Sequence, residues 1–82
     1  MPRYFFDTFD GKAFIPDEEG QDLKDLDAAR RVAQEALREM IRDALPDGDH
    51  GTFVVSVKDA AGRVAIRTAL ALVTEYPSND EG

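Results

Sequence analysis

One stretch of helical periodicity limits the folds that this chain can adopt. Between residues 26 and 45, apolar side chains recur at intervals of three and four residues, which is the spacing of an amphipathic α-helix. Asp25 is placed to cap the N-terminus of this helix, and Pro46 is placed to end it. Because a chain of 82 residues forms one hydrophobic core, we expect this single helix to pack against the structure that its flanking segments form.

The segment before the helix is predicted to form a β-hairpin. Residues 3–9 are rich in aromatic side chains, which favour strands. Asp10-Gly11 is a signal for a two-residue turn, and a second strand is expected at residues 12–15. The residues that follow, up to Asp22, carry turn-forming side chains without periodicity, so they are predicted to form a loop.

The segment after the helix is predicted to form a second hairpin, with strands at residues 52–58 and 63–75 and a turn that ends at Gly62. The order of elements is therefore β-β-α-β-β. Since one helix covers one face of one small sheet, the expected fold is α+β, a two-layer sandwich of one helix on a mainly antiparallel sheet. We expect a single domain over residues 1–75 and a polar, frayed tail over residues 76–82.

Period-two alternation assigns the following residues to the helix-facing side of the sheet: Tyr4, Phe6, Phe53, Val55, Val57, Val64, Ile66, Leu70 and Leu72. The opposite face is also apolar in its middle, whereas a solvated face is normally polar. Its interface candidates are Phe5, Val54, Ala69, Ala71 and Val73. Either these residues form a protein interface, or they are tolerated on a half-exposed face. Because the first and last strands are apolar on both faces, we also expect them to lie at the centre of the sheet.

Charge and composition bear on the possible partners. Seventeen acidic against ten basic residues give a net charge of -7, which repels phosphate backbones and favours basic protein partners. We therefore expect no nucleic-acid binding. The absence of cysteine excludes disulfides, thiolate metal sites and cysteine nucleophiles. No apolar run is long enough for a membrane helix or a signal peptide, so a cytoplasmic protein that does not bind membranes is expected.

The densest group of potential metal ligands is the acidic loop, defined here as residues 16–22. Its carboxylates are Asp17, Glu18, Glu19 and Asp22, and hard cations such as Ca²⁺ prefer oxygen ligands of this kind. Their spacing does not fit an EF-hand, and charge runs of this kind are usually solvated. No metal site is therefore expected in this loop.

No residue set with catalytic spacing is present in the sequence. His50 is the only histidine, and it lies in a turn-rich segment without a neighbour that would make it a base or a metal ligand. Ser56 falls within a predicted strand and Ser78 within the tail, outside any nucleophile motif. The glycine-rich motifs that bind nucleotides are also absent. The sequence therefore predicts a protein without enzymatic activity and without a cofactor.

Four segments of the chain form a recognisable combination. They are the strand Tyr4-Phe5-Phe6-Asp7, the loop Asp17-Glu18-Glu19-Gly20, the helix start Leu23-Lys24-Asp25-Leu26 and the late turn Asp59-Ala60-Ala61-Gly62. Together they resemble a family of short proteins of unknown function from soil and plant-associated bacteria, over nearly the whole chain except the tail. The resemblance implies a small stand-alone cytoplasmic protein and no assigned activity. In its pattern Gly20 and Gly62 are expected at positive φ, with loop carboxylates capping backbone N–H groups.

Functions from different classes remain open at this point. The first is a non-enzymatic interaction module, either a homodimer or the partner of a basic protein, that uses the apolar second face of the sheet. The alternative is a small-ligand or metal-binding domain that uses the acidic loop. An enzyme whose site forms only between subunits is a third possibility.

Overall fold

The computed structural model describes residues 1–43 and 50–78. Its elements are β1 (Arg3–Phe9), β2 (Phe14–Ile15), β3 (Gln21–Asp22), α1 (Leu26–Asp43), β4 (His50–Lys58) and β5 (Val64–Val73). One helix packs on one small antiparallel sheet, so the predicted α+β fold and the β-β-α-β-β order are confirmed. The difference is β3, a two-residue strand in a segment that was expected to be loop throughout.

The sheet places β1 and β4 in its interior and β5 at its edge. The strand order is β2-β1-β4-β5, and β3 pairs with β1 as well. Every pairing is antiparallel. The expectation of a central position is therefore correct for β1 and wrong for β5. An apolar composition on both faces indicates burial only when both faces are covered, and β5 has no neighbour on its outer side among the residues that the structure describes.

Helix α1 forms the second layer and lies mainly over β4. It begins where the sequence predicts, because the backbone N–H of Ala28 donates to the Asp25 carboxylate at 2.9 Å, which is an N-cap. Its buried residues are Ala29, Ala33 and Leu37. The two alanines allow the helix to approach the sheet closely, and Leu37 fills the space that remains. The predicted end of the helix, at residues 45 and 46, lies outside the described residues.

The core is confined to β1, α1 and β4. Its members are Tyr4, Phe6, Ala29, Ala33, Leu37, Phe53, Val55 and Val57. The residues of β1 and β4 that were predicted to face the helix are therefore buried. The β5 residues that were predicted to face the helix are not buried. Ile66 and Leu72 are half-buried, and Leu70 is exposed.

A β-bulge explains why Val64 does not lie in the core. The register of β4 and β5 pairs Val57 with Ile66 and then Lys58 with Val64, so Ala65 is an extra residue on β5. The extra residue breaks the period-two alternation at the start of β5. Val64 is consequently 47% exposed instead of facing the helix as predicted.

The two hairpin turns depend on aspartate side chains. In the first turn, Asp10 Oδ1 accepts hydrogen bonds from the backbone N–H groups of Lys12 and Ala13 at 2.9 and 2.8 Å. Phe9 pairs with Phe14, so the loop has four residues and the predicted two-residue turn is wrong. The aspartate competes with the strand for these donors and lengthens the loop.

The second turn forms as the sequence predicts. Asp59 Oδ1 accepts from the backbone N–H groups of Ala61 and Arg63 at 2.9 and 3.0 Å. Gly62 closes the turn at a φ of +85°, a conformation that glycine adopts without steric cost.

Candidate functional site

Strand β5 is the least buried of the three long strands. It has ten residues, and none of them is buried. Its largest exposed side chains are Val64 at 47%, Leu70 at 43% and Val73 at 58% of their surface. Since these side chains occur on both faces of the sheet, β5 exposes apolar surface on each face. Within residues 1–43 and 50–78, no strand pairs with its outer edge.

The composition of β5 does not protect this free edge. Natural edge strands usually avoid unwanted pairing by being short or by carrying lysine, proline or inward-pointing charges. β5 is long, contains no proline and carries one charged side chain, Arg67. Its only irregularity is the bulge near its first residues, so the part from Ile66 to Val73 is a regular edge strand.

The open face of the sheet, opposite α1, brings together four of the five interface candidates. Val54 lies directly opposite Ala69 across the β4–β5 ladder, and Ala71 and Val73 follow on the same side of β5. Val54 is half-buried and the other three are exposed. No helix or strand within residues 1–43 and 50–78 packs on this part of the sheet.

Phe5 lies apart from this group. Between Phe5 and Val54, the cross-strand neighbours Asp7, Ser56 and Arg67 form a polar row on the same face. The Phe5 ring is half-buried and packs against Gly20, where an added Cβ would lie 2.9 Å from the ring. The acidic loop therefore covers Phe5, and this candidate does not belong to the exposed apolar surface.

Asp17 organises the acidic loop. Its Oδ2 accepts from the Phe6 N–H at 3.0 Å, and its Oδ1 accepts from the N–H groups of Glu19 and Gly20 at 3.1 and 3.2 Å. Its own backbone N–H donates to Asp7 Oδ1 at 2.9 Å. Because β2 and β3 pair with the two ends of β1, this side chain fills the gap between them and takes the place of a ladder partner.

Two ion pairs lie beside Asp17. Asp7 is 4% exposed, and its Oδ2 lies 2.8 Å from Lys58 Nζ. Arg3 Nε lies 3.1 Å from Asp22 Oδ1, and the same guanidinium donates to the Glu19 carbonyl. A buried carboxylate that is paired and hydrogen-bonded is a stable arrangement, whereas an unpaired one is costly.

The pKa of Asp17 reflects these contacts. Partial burial acts to raise the pKa of this carboxyl, but the backbone N–H groups of Phe6, Gly20 and Glu19, together with the charge of Arg3, lower it below its ordinary value. A carboxyl whose pKa is lowered by folding stabilises the fold above its unfolded-state pKa. That contribution is lost as the pH falls through the folded-state pKa.

The candidate metal ligands do not converge. The Asp17 carboxylate is directed at backbone N–H groups, Asp22 is paired with Arg3, and Glu18 and Glu19 are exposed. Within the described ranges no three acidic or histidine side chains have the spacing of a metal site. The predicted absence of a metal site in this loop stays a prediction.

A cation titration tests this prediction. We expect millimolar Ca²⁺ or Mg²⁺ to leave the amide resonances of residues 17–22 unmoved. The Asp17 carboxylate already accepts backbone hydrogen bonds and the Asp22 carboxylate is paired with Arg3, so the exposed Glu18 and Glu19 have no third carboxylate available beside them. NMR spectra recorded at increasing cation concentration measure the shifts, with the amides of residues 59–62 as an internal control for weak charge effects. A saturable shift at micromolar cation, confined to the loop, would contradict the prediction.

One groove lies between the first hairpin and the end of α1. It has a volume of about 270 Å³ and is lined by Thr8, Asp10, Ala13, Ile15, Met40 and Asp43. Of its two carboxylates, Asp10 already accepts hydrogen bonds from its own turn.

Sequence reasoning found the open face but missed the free edge. The signal was present in β5, which combines a long apolar run with a single charged residue. Such a run is typical both of a buried central strand and of an unprotected edge strand, and the order of strands distinguishes the two.

The model of one protein family, described as a domain of unknown function (DUF6894), matches residues 3–75 of the chain. Neither the curated proteins nor the solved structures contain a significant match. In the described part of the chain, α1 is not apolar enough over its length to span a bilayer.

Proposed function

The chain belongs to the DUF6894 family, a domain of unknown function, and we propose that it acts as a non-enzymatic interaction module that associates with a second copy of itself. One observation carries this proposal. β5 has ten residues, none of them buried, and it exposes apolar side chains on both faces. No strand in the described part of the chain pairs with its outer edge. An exposed apolar surface of this kind marks an interaction site in a stable protein.

Self-association would also stabilise the protein, because its hydrophobic core is small. Among the residues that the structure describes, all buried hydrophobic ones lie on β1, α1 and β4, so β5 is held by β4 and by half-buried contacts such as Ile66. Domains of this length bury a limited fraction of their surface, and association with another chain commonly adds the missing stability. A partner on β5 would therefore stabilise the strand that the core supports least.

A second copy suits this surface better than a basic protein does. A basic partner would be attracted by carboxylates, and β5 contains none. The acidic loop lies instead beside β1, at the opposite edge of the sheet from β5. Two copies of β5 can therefore approach one another without bringing carboxylates together, although each chain carries a net charge of -7.

Analytical ultracentrifugation tests the proposal. The wild-type protein is expected to change from monomer to dimer as its concentration rises to hundreds of micromolar. The double substitution Ala69→Glu with Ala71→Glu places two carboxylates on each exposed strand and is expected to give a folded monomer over the same range, because like charges at an interface repel. The matched control carries Ala60→Glu with Ala61→Glu, which adds the same charge in the exposed turn before β5, and it should still dimerise.

Salt dependence separates the two kinds of partner. Added salt screens the repulsion between two negatively charged copies, so the dimer is expected to become tighter as ionic strength rises. Binding of a basic protein would weaken instead. A wild-type chain that remains a monomer at hundreds of micromolar, at low and at high salt, would rule out the proposed self-association.

A further inference from the structure

The hydrogen bonds of β1 reveal which way the backbone groups of each strand point. The Phe6 N–H donates to Asp17, and the Pro2 carbonyl accepts from Leu23 at 3.0 Å, so both groups point away from β4. In an antiparallel ladder, successive residues direct their N–H and C=O groups to opposite edges. The backbone N–H and C=O groups of the even-numbered residues of β1 therefore point away from β4, and those of the odd-numbered residues point towards β4.

The same alternation fixes the direction of the backbone N–H and C=O groups in β5. Phe6 lies opposite Val57, and since the Phe6 groups point away from β4, Val57 directs its own groups towards β5. Val57 is paired with Ile66, and the same parity continues along the ladder through Leu70. The odd-numbered residues of β5 beyond the bulge consequently direct their N–H and C=O groups to the free edge; they are Arg67, Ala69, Ala71 and Val73.

We infer that β5 pairs edge to edge and antiparallel with β5 of a second copy, about a twofold axis at Leu70. This inference rests on the proposed self-association and specifies its geometry. In this register Ala69 lies opposite Ala71 of the second copy, and Arg67 lies opposite Val73 of the second copy. All of the outward-facing backbone groups beyond the bulge then find partners.

The side chains of β5 suit this register. Leu70 is 43% exposed on the helix side, and on the axis it meets Leu70 of the second copy in a non-hydrogen-bonded pair, where side chains approach most closely. Arg67 faces a valine and avoids the other arginine. The alanines keep the backbone accessible, so no bulky side chain obstructs the edge.

The number of hydrogen bonds is sufficient for a specific dimer. Four outward-facing residues on each copy would form about eight bonds between chains. A standard protein interface carries about 5–15 direct hydrogen bonds. Strand addition at a sheet edge relies on such main-chain bonds for its affinity, and exposed side chains provide its selectivity.

Amide hydrogen exchange of the wild-type protein tests the geometry directly. In the monomer, the amides of Thr68, Leu70 and Leu72 should be protected by β4, while those of Ala69 and Ala71 should exchange rapidly. At concentrations where the dimer forms, the amides of Ala69 and Ala71 should slow by roughly tenfold or more. The even-numbered amides are the internal control, because they are bonded to β4 in both states.

Two substitutions test the same geometry by removing a donor. Ala69→Pro deletes an N–H that points to the free edge and leaves the β4–β5 ladder intact, so the variant should fold and remain monomeric. Ala69→Val keeps the N–H and should still dimerise. If the open faces packed together instead, Ala69→Pro would retain the dimer, and that result would overturn the inference.

Cross-linking locates the axis in a chain that has no natural cysteine. Leu70→Cys places two thiols opposite each other at about 4.5 Å between Cα atoms, within the range of a disulfide. Thr68→Cys is the matched control, because its two copies would lie about 13 Å apart along the strands. A disulfide dimer of the first variant alone supports the inference. A dimer whose Ala69 and Ala71 amides stay unprotected would contradict the geometry but not the self-association, whereas a monomer at every concentration would contradict both.

Discussion

Replacement of Leu37 by alanine is expected to lower the free energy of unfolding by about 2–5 kcal/mol. Leu37 is 2% exposed and fills the space between α1 and the interior strands of the sheet. Truncation leaves a cavity that the tightly packed alanines beside it cannot close. Against a total stability of about 5–15 kcal/mol for a small domain, this loss is large.

Thermal and urea unfolding measure the effect, and Ile41 supplies the matched control on the same helix. Ile41 is 38% exposed, so Ile41→Ala should cost much less than Leu37→Ala. Unfolding is compared at a concentration where the wild type is monomeric, because dimer formation adds to the apparent stability. Equal losses for the two variants would contradict the position of α1 on the sheet.

Replacement of Gly20 by alanine is expected to have the second large effect. Gly20 has a φ of +74°, and an added Cβ would lie 2.9 Å from the Tyr4 carbonyl oxygen and 2.9 Å from the Phe5 ring. The positive φ alone costs an alanine about 1–2 kcal/mol. The contact with backbone cannot be relieved by a rotamer change and should add about 1–3 kcal/mol.

A substitution at Gly62 separates the destabilisation caused by positive φ from that caused by the close contact. It has a φ of +85°, but an added Cβ would meet no atom within 4 Å. Gly62→Ala should therefore show only the conformational cost, of about 1–2 kcal/mol. Urea unfolding of both variants gives the difference. If Gly20→Ala were no more destabilised than Gly62→Ala, the close packing of the acidic loop on β1 would be contradicted.

The elements that sequence reasoning identified are those with strong local signals. The helix follows from its periodicity and from the Asp25 cap, which forms as predicted. The helix-facing residues of β1 and β4 follow from alternation, because these strands are regular and one of their faces is buried. The positive φ of Gly20 and Gly62 was expected as well, since each glycine closes a turn that begins with an aspartate.

The features that were missed depend on side chains that replace backbone partners. Asp10 lengthens the first turn by accepting two N–H groups, which was not predicted. Loop carboxylates were expected to cap backbone N–H groups, and Asp17 does so, but its hydrogen bond to Phe6 at the edge of β1 was not predicted. A sequence shows that such carboxylates are present but not which donors they reach. The bulge at Ala65 is equally invisible, because one extra residue changes the alternation without a distinctive residue type.

Strand alternation places residues on a face of the sheet, but it does not show which of them another segment covers. Val54, Ala69, Ala71 and Val73 share the open face because they share parity, and Phe5 shares it too. Phe5 is removed from the surface by the acidic loop, a contact between residues fifteen positions apart that alternation does not encode. The exposure of β5 depends on strand order, which is a property of the whole sheet.

The two edges of the sheet differ, and this difference would set the stoichiometry of the proposed self-association. Beside β1, the strands β2 and β3 have two residues each, and the acidic loop between them presents charges and Pro16, so this side does not accept a further strand. In the proposed self-association, each molecule would therefore offer one edge for pairing. Pairing of two β5 strands would use both of these edges, so the assembly would end at the dimer and would not continue into a fibre, as it would if both edges of the sheet were open.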